Sequence, residues 1–315
     1  MNLRKAKLMN TTGPPVDSAN ADAVDLPDTP LWHYTDTGGL LGILSNVDKK
    51  AENGRPGSET YKPVLRASAA QFLNDRRELV HGLNLVKDYL DVLVHNGSFV
   101  RDAKAETFFR AFCDTITKIT DQTYDEFIHC STISFSLDPD LLSQWRAYGH
   151  GTSGFAIGFD PAAFPRSSGR VHQGGLGLHQ VQYTSDTLEN PLLAAVDLFI
   201  EQTLERPEKA EKSPLYHAVR RMSYIAASVK HKGFAEEQEW RYVDSGRDQL
   251  PDFRSGATGL IPYRNLELPA ESVVGLSVGP GPQQYENYLA ARSMLRRYGY
   301  IEAAHNVQRS SSPFR

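Results

Sequence analysis

Ile133-Ser-Phe-Ser136 and Phe155-Ala-Ile-Gly-Phe159 decide the fold class. In both stretches large apolar residues alternate with small ones, the period-two pattern of a strand with one buried face. Between them, Pro139 to Tyr148 reads as a short helix carrying Trp145. Working outward, Leu31–Thr35, Val64–Ser68, Leu178–Thr184, Gln238–Val243, Ser272–Val278 and a stretch near Ile301–Val307 are further strand candidates. Asp36 or Thr37 is placed to cap a helix carrying Leu40, Leu41, Ile43 and Leu44. Two long helical stripes fall between the early strands. The first is Leu79, Leu83, Val86, Leu90 and Leu93; the second is Ala105, Phe108, Phe109, Phe112, Ile116 and Ile119, with Asn96-Gly97 between them. More helices are predicted over about 190–206, 213–231 and 282–298. Strands and helices do not alternate regularly, which argues for an α+β protein with a central mixed or antiparallel sheet of short strands and long helical insertions.

The chain has 315 residues, and its 40% hydrophobic content is enough for a sizeable core. Thirty-four Lys and Arg against 38 Asp and Glu give a net charge of −4, which excludes a strongly basic nucleic-acid binder. Two cysteines, Cys113 and Cys130, cannot staple a fold of this size, so a reducing, cytoplasmic setting is expected. Pro191-Leu-Leu-Ala-Ala-Val196 is too short to span a bilayer, and no membrane partner is expected. Residues 1–29, rich in Asn, Asp, Thr and Pro, read as a flexible leader. Residues 30–315 read as a single α+β domain with helical insertions at about 69–125 and 190–231.

Several motifs carry no chemistry. None of the ten histidines forms an H-x-x-x-H pair and neither cysteine lies in a C-x-x-C, so no metal site is expected. Gly149-His-Gly-Thr-Ser-Gly154 resembles a phosphate cradle, but no Lys-Ser or Lys-Thr follows, and a strand comes next.

Three segments instead place polar groups where strands are usually bland. His33-Tyr34-Thr35 puts a His and a Thr on one strand face. Phe72-Leu-Asn-Asp75 follows the second strand, with Glu78 one turn later. In Glu236-Glu-Gln-Glu-Trp-Arg-Tyr242, the residues Glu237, Glu239 and Arg241 alternate along one strand face. Each has a plainer reading: a satisfied histidine, a helix cap at Asn74-Asp75, and a surface ion pair worth under ~1 kcal/mol.

These segments, with Trp145-Arg-Ala-Tyr-Gly149, Gly154–Asp160 and Ser311–Arg315, resemble an uncharacterised bacterial family known only as a domain of unknown function. That family is in turn similar to the ADP-ribosyltransferase fold. The resemblance implies an NAD-cleaving protein, with NAD as substrate, that passes ADP-ribose to an unidentified acceptor. His33 and Thr35 match the first-strand motif and Glu239 the late-strand carboxylate, while Tyr34 stands where a glycine usually follows the histidine. Glu239 is then expected to stabilise an oxocarbenium-like transition state. His33 is expected to hold a ribose, and Arg241 or Arg146 to pair with the pyrophosphate. Tyr148 and Phe72 are both candidates for stacking the nicotinamide, and Tyr34, Thr35, Asn74 and Glu237 complete the expected binding set. Two other readings stand beside this one: an NAD glycohydrolase, and a non-catalytic interaction module whose helical insertions carry a protein partner. The two NAD-cleaving readings require the His33 and Glu239 side chains to open into one cleft; the interaction module does not.

Overall fold

The computed structural model describes residues 26–48, 60–72, 76–96, 103–123, 130–149, 154–165, 177–185, 196, 200, 214–244, 250–256 and 259–313. Most of the leader, Asn74 and nearly all of the 190–206 helix candidate lie outside the described residues.

The described chain is α+β, built on a mixed ten-stranded sheet. Its strands are β1 (Leu31–Thr35), β4 (Val64–Ala69), β5 (Ser131–Ser136), β6 (Phe155–Phe159), β7 (Gly177–Gln180), β10 (Glu239–Asp244), β11 (Asp252–Gly256), β12 (Gly259–Glu267), β13 (Val273–Val278) and β14 (Val307–Arg309). Two short ribbons accompany it: β2 (Asn46–Val47) with β3 (Tyr61–Lys62), and β8 (Gln182–Thr184) with β9 (Val229–His231). The main path runs β11-β12-β4-β5-β1-β6-β13-β14, and β10 joins β5 to β7. Pairing is antiparallel except between β13 and β14, and in the separate β8–β9 ribbon.

One local arrangement positions the site. β10 pairs with all six residues of β5, Glu239 opposite Ser136 through Asp244 opposite Ser131. The other edge of β5 is shared: β4 takes Ser131 and Thr132, and β1 takes Ser136. Two strands that leave the same edge at different points must splay, so the sheet forks between β4 and β1 beside Ile133–Phe135.

Helices cover the two faces. The helix α1 (Thr37–Leu44) follows β1, and Asp36 caps it by accepting from the Gly39 amide at 2.7 Å. A Cβ at Gly39 would stand 1.8 Å from Thr35 Oγ1, so any larger residue there would force the Thr35 side chain to move. On one sheet face, α2 (Arg76–His95), α3 (Ala103–Thr120) and α5 (Pro214–Ala227) bury Leu83, Leu90, Phe109, Phe112, Ile116 and Met222. Gly82 meets Ala226 there; a Cβ would fall 2.6 Å from the Ala226 carbonyl oxygen. On the other face, α1, α6 (Gln284–Arg297) and α7 (Ile301–His305) pack against Phe135, Phe155, Ile157, Phe159, Trp240 and Leu276. The short helix α4 (Leu142–Tyr148) covers β1 through Trp145, whose ring meets Tyr34 edge-on at 4.6 Å.

Three expectations need correcting. The helix predicted to reach residue 231 stops at Ala227, and Val229–His231 becomes β9, held by parallel pairing to β8. Ile301–His305 is helical, with only Val307–Arg309 forming the strand. Glu237 does not lie on the strand with Glu239 and Arg241. It ends the 3-10 turn Lys232–Glu237, and Gln238, with φ 44°, swings the chain into β10. Among the described residues, no helix is long and apolar enough to cross a membrane.

Candidate active site in the sheet fork

A cleft of about 580 Å³ opens where β4 and β1 diverge, a size within the ~300–1,000 Å³ range of small-molecule sites. His33, Thr35, Phe72, Glu78, Tyr148, Lys230, Glu237, Glu239 and Arg241 all border it. The register explains how β1 and β10 meet there. Trp32 and Glu239 both pair with Ser136, from opposite edges of β5, so their backbones are two strand spacings, about 10 Å, apart.

The carboxylates gather around two cations. Arg241 donates from Nε to Glu239 Oε1 at 2.5 Å and from Nη2 to Glu239 Oε2 at 3.0 Å. The same Nη2 contacts Glu78, and Nη1 donates to the Ala227 carbonyl at 2.8 Å. Lys230 Nζ lies 2.6 Å from Glu237, 2.9 Å from Glu78 and 3.0 Å from Glu239. Three negative and two positive charges leave one net negative charge. Glu239 and Arg241, 4% and 3% exposed, are not the solvent-screened surface pair their spacing suggested.

Burial opposes the charge on Glu239, but the Arg241 guanidinium, Lys230 and the Ser134 hydroxyl outweigh it and hold its pKa down at about 2. Glu239 is therefore an anion throughout the physiological range. Glu237 differs. Burial raises its pKa despite the Lys230 hydrogen bond, and only one of its oxygens takes that bond. Burial disfavours the Lys230 ammonium, yet Glu239 and Glu78 raise its pKa above the usual lysine value. Burial, followed by Glu239, raises the pKa of Tyr148, which places that phenol beside the cluster.

The other expected residues divide. His33 borders the cleft from the opposite sheet face to Glu239. Its ring centroid lies 5.7 Å from that of Phe135, and its Nδ1 is 3.0 Å from the Ser134 carbonyl oxygen inside the fork. Burial lowers its pKa although that hydrogen bond opposes the shift, so the imidazole is neutral at pH 7. Thr35 turns toward Gly39 at the start of α1. Tyr34 is structural: its hydroxyl donates to the Asp138 carbonyl at 2.7 Å and accepts from the Leu141 amide at 2.9 Å, tying α4 to β1. Arg146 is a correction. It is exposed on α4 and is not among the residues that border the cleft, while Trp145 takes the buried position. Arg241 does border the cleft, but its fork is already spent on Glu239, Glu78 and Ala227.

Lys230 falls inside the helix predicted over about 213–231 but lies on β9, so it was not among the expected site residues. The only sequence signal is its spacing of seven and nine residues before two glutamates, too loose to pick out without the turn at 232–237.

Curated proteins and solved structures give no match to the chain. Residues 144–242, about a third of the chain, match the family described as "Protein of unknown function (DUF2971)". That span holds β6 and most of α4 and β10, and with them Tyr148, Lys230, Glu237, Glu239 and Arg241; the His33–Thr35 and Phe72–Glu78 segments precede it.

Proposed function

We propose that the cleft binds NAD and cleaves its nicotinamide–ribose bond, transferring ADP-ribose to an acceptor on an ADP-ribosyltransferase-like fold. One observation carries the reading: a glutamate kept ionised by buried cations borders the cleft that the fork opens between it and a histidine strand. When the C1′–N bond breaks, the bonding pair leaves with the neutral nicotinamide, and positive charge develops on the ribose. A fixed carboxylate accepting a hydrogen bond from the 2′-hydroxyl stabilises that charge, as carboxylates do in glycosidases. The acceptor's nucleophilic atom then bonds to C1′. Glu237, whose second oxygen has no hydrogen bond among the described residues and whose pKa is raised, is placed to take the proton the acceptor loses.

Glu239 needs a free lone pair for this role, and a carboxylate offers about four. Arg241 uses two, Lys230 one, and the Ser134 hydroxyl contributes as well. Lys230 can release Glu239 and remain paired with Glu237 and Glu78. The same crowding favours a second reading, a binding module that holds the ligand without turnover.

Incubation with NAD and chromatographic measurement of nicotinamide distinguishes the two. Release by the parent, lost in Glu239→Gln, supports the enzyme; binding of NAD with no nicotinamide formed leaves only the module. Release without any acceptor present identifies water as the acceptor, the glycohydrolase form of the reaction.

A further inference from the structure

The end of the cleft away from the glutamates is built from β4, β5 and β11. Arg66 and Ser68 share one face of β4, and Thr132 of β5 lies directly across from Ser68. Arg254 reaches over from β11 and donates from Nη2 to Ser68 Oγ at 3.0 Å. Arg66 lies above the Tyr263 ring, 5.1 Å from its centroid. Both arginines border the cleft, and among the described residues neither has a carboxylate partner. Burial lowers the pKa of Arg254, and the nearby Arg66 charge lowers it further, as expected for two cations facing the same space.

Thr132 supplies an independent sign. It is 2% exposed, borders the cleft, and among the described residues its hydroxyl has no hydrogen-bond partner. A buried hydroxyl left unpaired costs about 1–3 kcal/mol. A ligand oxygen beside it removes that cost. Arg66, Arg254, Ser68 and Thr132 thus present two guanidinium forks and two hydroxyls to one region, a donor set suited to an anion with several oxygens.

We infer that these four residues form a diphosphate subsite, replacing the assignment of that role to Arg241 and Arg146. The identity of the whole ligand as a dinucleotide rests on the proposed function; the preference for a phosphate-bearing group rests on these residues alone. A dinucleotide then lies with its diphosphate under Arg66 and Arg254 and its nicotinamide ribose beside Glu239.

Calorimetric titration of the full chain with inorganic pyrophosphate, ADP-ribose and adenosine tests this. The parent should bind the first two and not adenosine. The double variant R66M/R254M should bind both at least tenfold more weakly, and raising the salt concentration should weaken it less than the parent. Thr132→Val should lose severalfold in affinity while its urea midpoint stays level or rises, an outcome that a purely structural threonine does not give. A parent that binds neither anion, or an R66M/R254M variant that binds them like the parent, overturns the subsite. Nicotinamide release keeps the two claims apart. A parent that binds through the arginines without cleaving NAD retains the subsite and loses the enzyme reading. NAD cleavage unaltered in R66M/R254M retains the enzyme and removes the subsite.

Discussion

The two ends of the cleft carry charge in opposite ways. At one end Glu78, Glu237 and Glu239 enclose Lys230 and Arg241, and almost every charged atom has a partner inside the protein. At the other, Arg66 and Arg254 face the same space with a serine and an aromatic ring for company. The first end is a structural element that also points a carboxylate at the cleft. The second costs stability to maintain and gains only when an anion arrives. The contrast is testable first through folding. Arg241→Met leaves Glu239 and Glu78 buried with Lys230 as their only cation, and such one-sided removals cost about 3–5 kcal/mol. Arg254→Met, by contrast, should change stability by less than ~1 kcal/mol in either direction. Urea denaturation of both variants checks this, and equal losses would erase the distinction.

Glu239 and Glu237 sharpen the same contrast within the acidic end. Glu239→Gln should slow nicotinamide release by about 10²–10³-fold, the scale of one well-aimed charge in a transition state. It should also destabilise by about 2–3 kcal/mol, because Arg241 and Lys230 lose a buried partner. Both effects must be measured on protein verified as folded by circular dichroism. Glu237→Gln loses a single lysine contact, so its stability cost should be under half as large. If Glu237→Gln destabilises more than Glu239→Gln, the assignment of the structural anion is wrong.

Acid separates the cluster from the histidines around it. Burial holds His179, which faces Arg241 across the β7–β10 pairing, at a pKa of about 4, and His33 also lies below its usual value. The unfolded chain therefore takes up protons near pH 6.5 that the folded chain refuses, and stability falls as pH drops from about 6.5 toward 4. His179 alone contributes about 3 kcal/mol over that window. Glu239 behaves differently. Its depressed pKa preserves its contribution above the normal glutamate range, and that contribution is lost only as pH falls from about 4.5 toward 2. Glu237 works against both, since a raised pKa favours the folded state on protonation. Denaturation midpoints at pH 7, 5.5 and 4 should decline steadily in the parent and decline less in His179→Gln. A parent that is level to pH 4.5 and then collapses would assign acid sensitivity to the glutamates instead.

Period and spacing made much of the frame readable. The strands β5 and β6 and the stripes of α2 and α3 are where the pattern put them; the helices bury one apolar stripe, whereas β6 is covered on both faces, its large residues in one cluster and Ala156 in another. The β11–β12 hairpin was not read. Pro262 lies inside β12, and a proline within a run normally argues against a paired strand. That omission hid Arg254, and with it the cationic end. Thr132 and Arg66 were silent for another reason: they belong to the cleft only because β4 and β1 share one edge of β5, a fact of pairing and not of local pattern. Glu239 and His33 were legible as polar residues in strands, yet their positions on opposite sheet faces were not. Face assignment across a fork depends on which edge each strand chooses.

The smallest predicted effect decides which aromatic residue belongs to the acidic end. Phe72 and Tyr148 both border the cleft and are similarly exposed, 37% and 40%. Burial, then the charges of Glu239, Glu237 and Glu78, raise the pKa of Tyr148, which sits at the end of α4, the helix that Trp145 and Tyr34 lock onto β1. A ring so placed can cover a planar group next to the carboxylates with little loss of entropy on binding. Tyr148→Phe keeps the ring and should cleave NAD within about twofold of the parent. Tyr148→Leu removes the stacking face, worth about 0.5–1.5 kcal/mol, and should raise KM some three- to tenfold with stability within ~0.5 kcal/mol of the parent. Phe72→Leu should move KM less, because Phe72 follows β4 into the Ala70–Phe72 turn and not the locked helix. If Phe72→Leu raises KM and Tyr148→Leu does not, the planar group lies against β4, and the ligand runs along the cleft in the reverse direction, with its anionic part nearer Lys230.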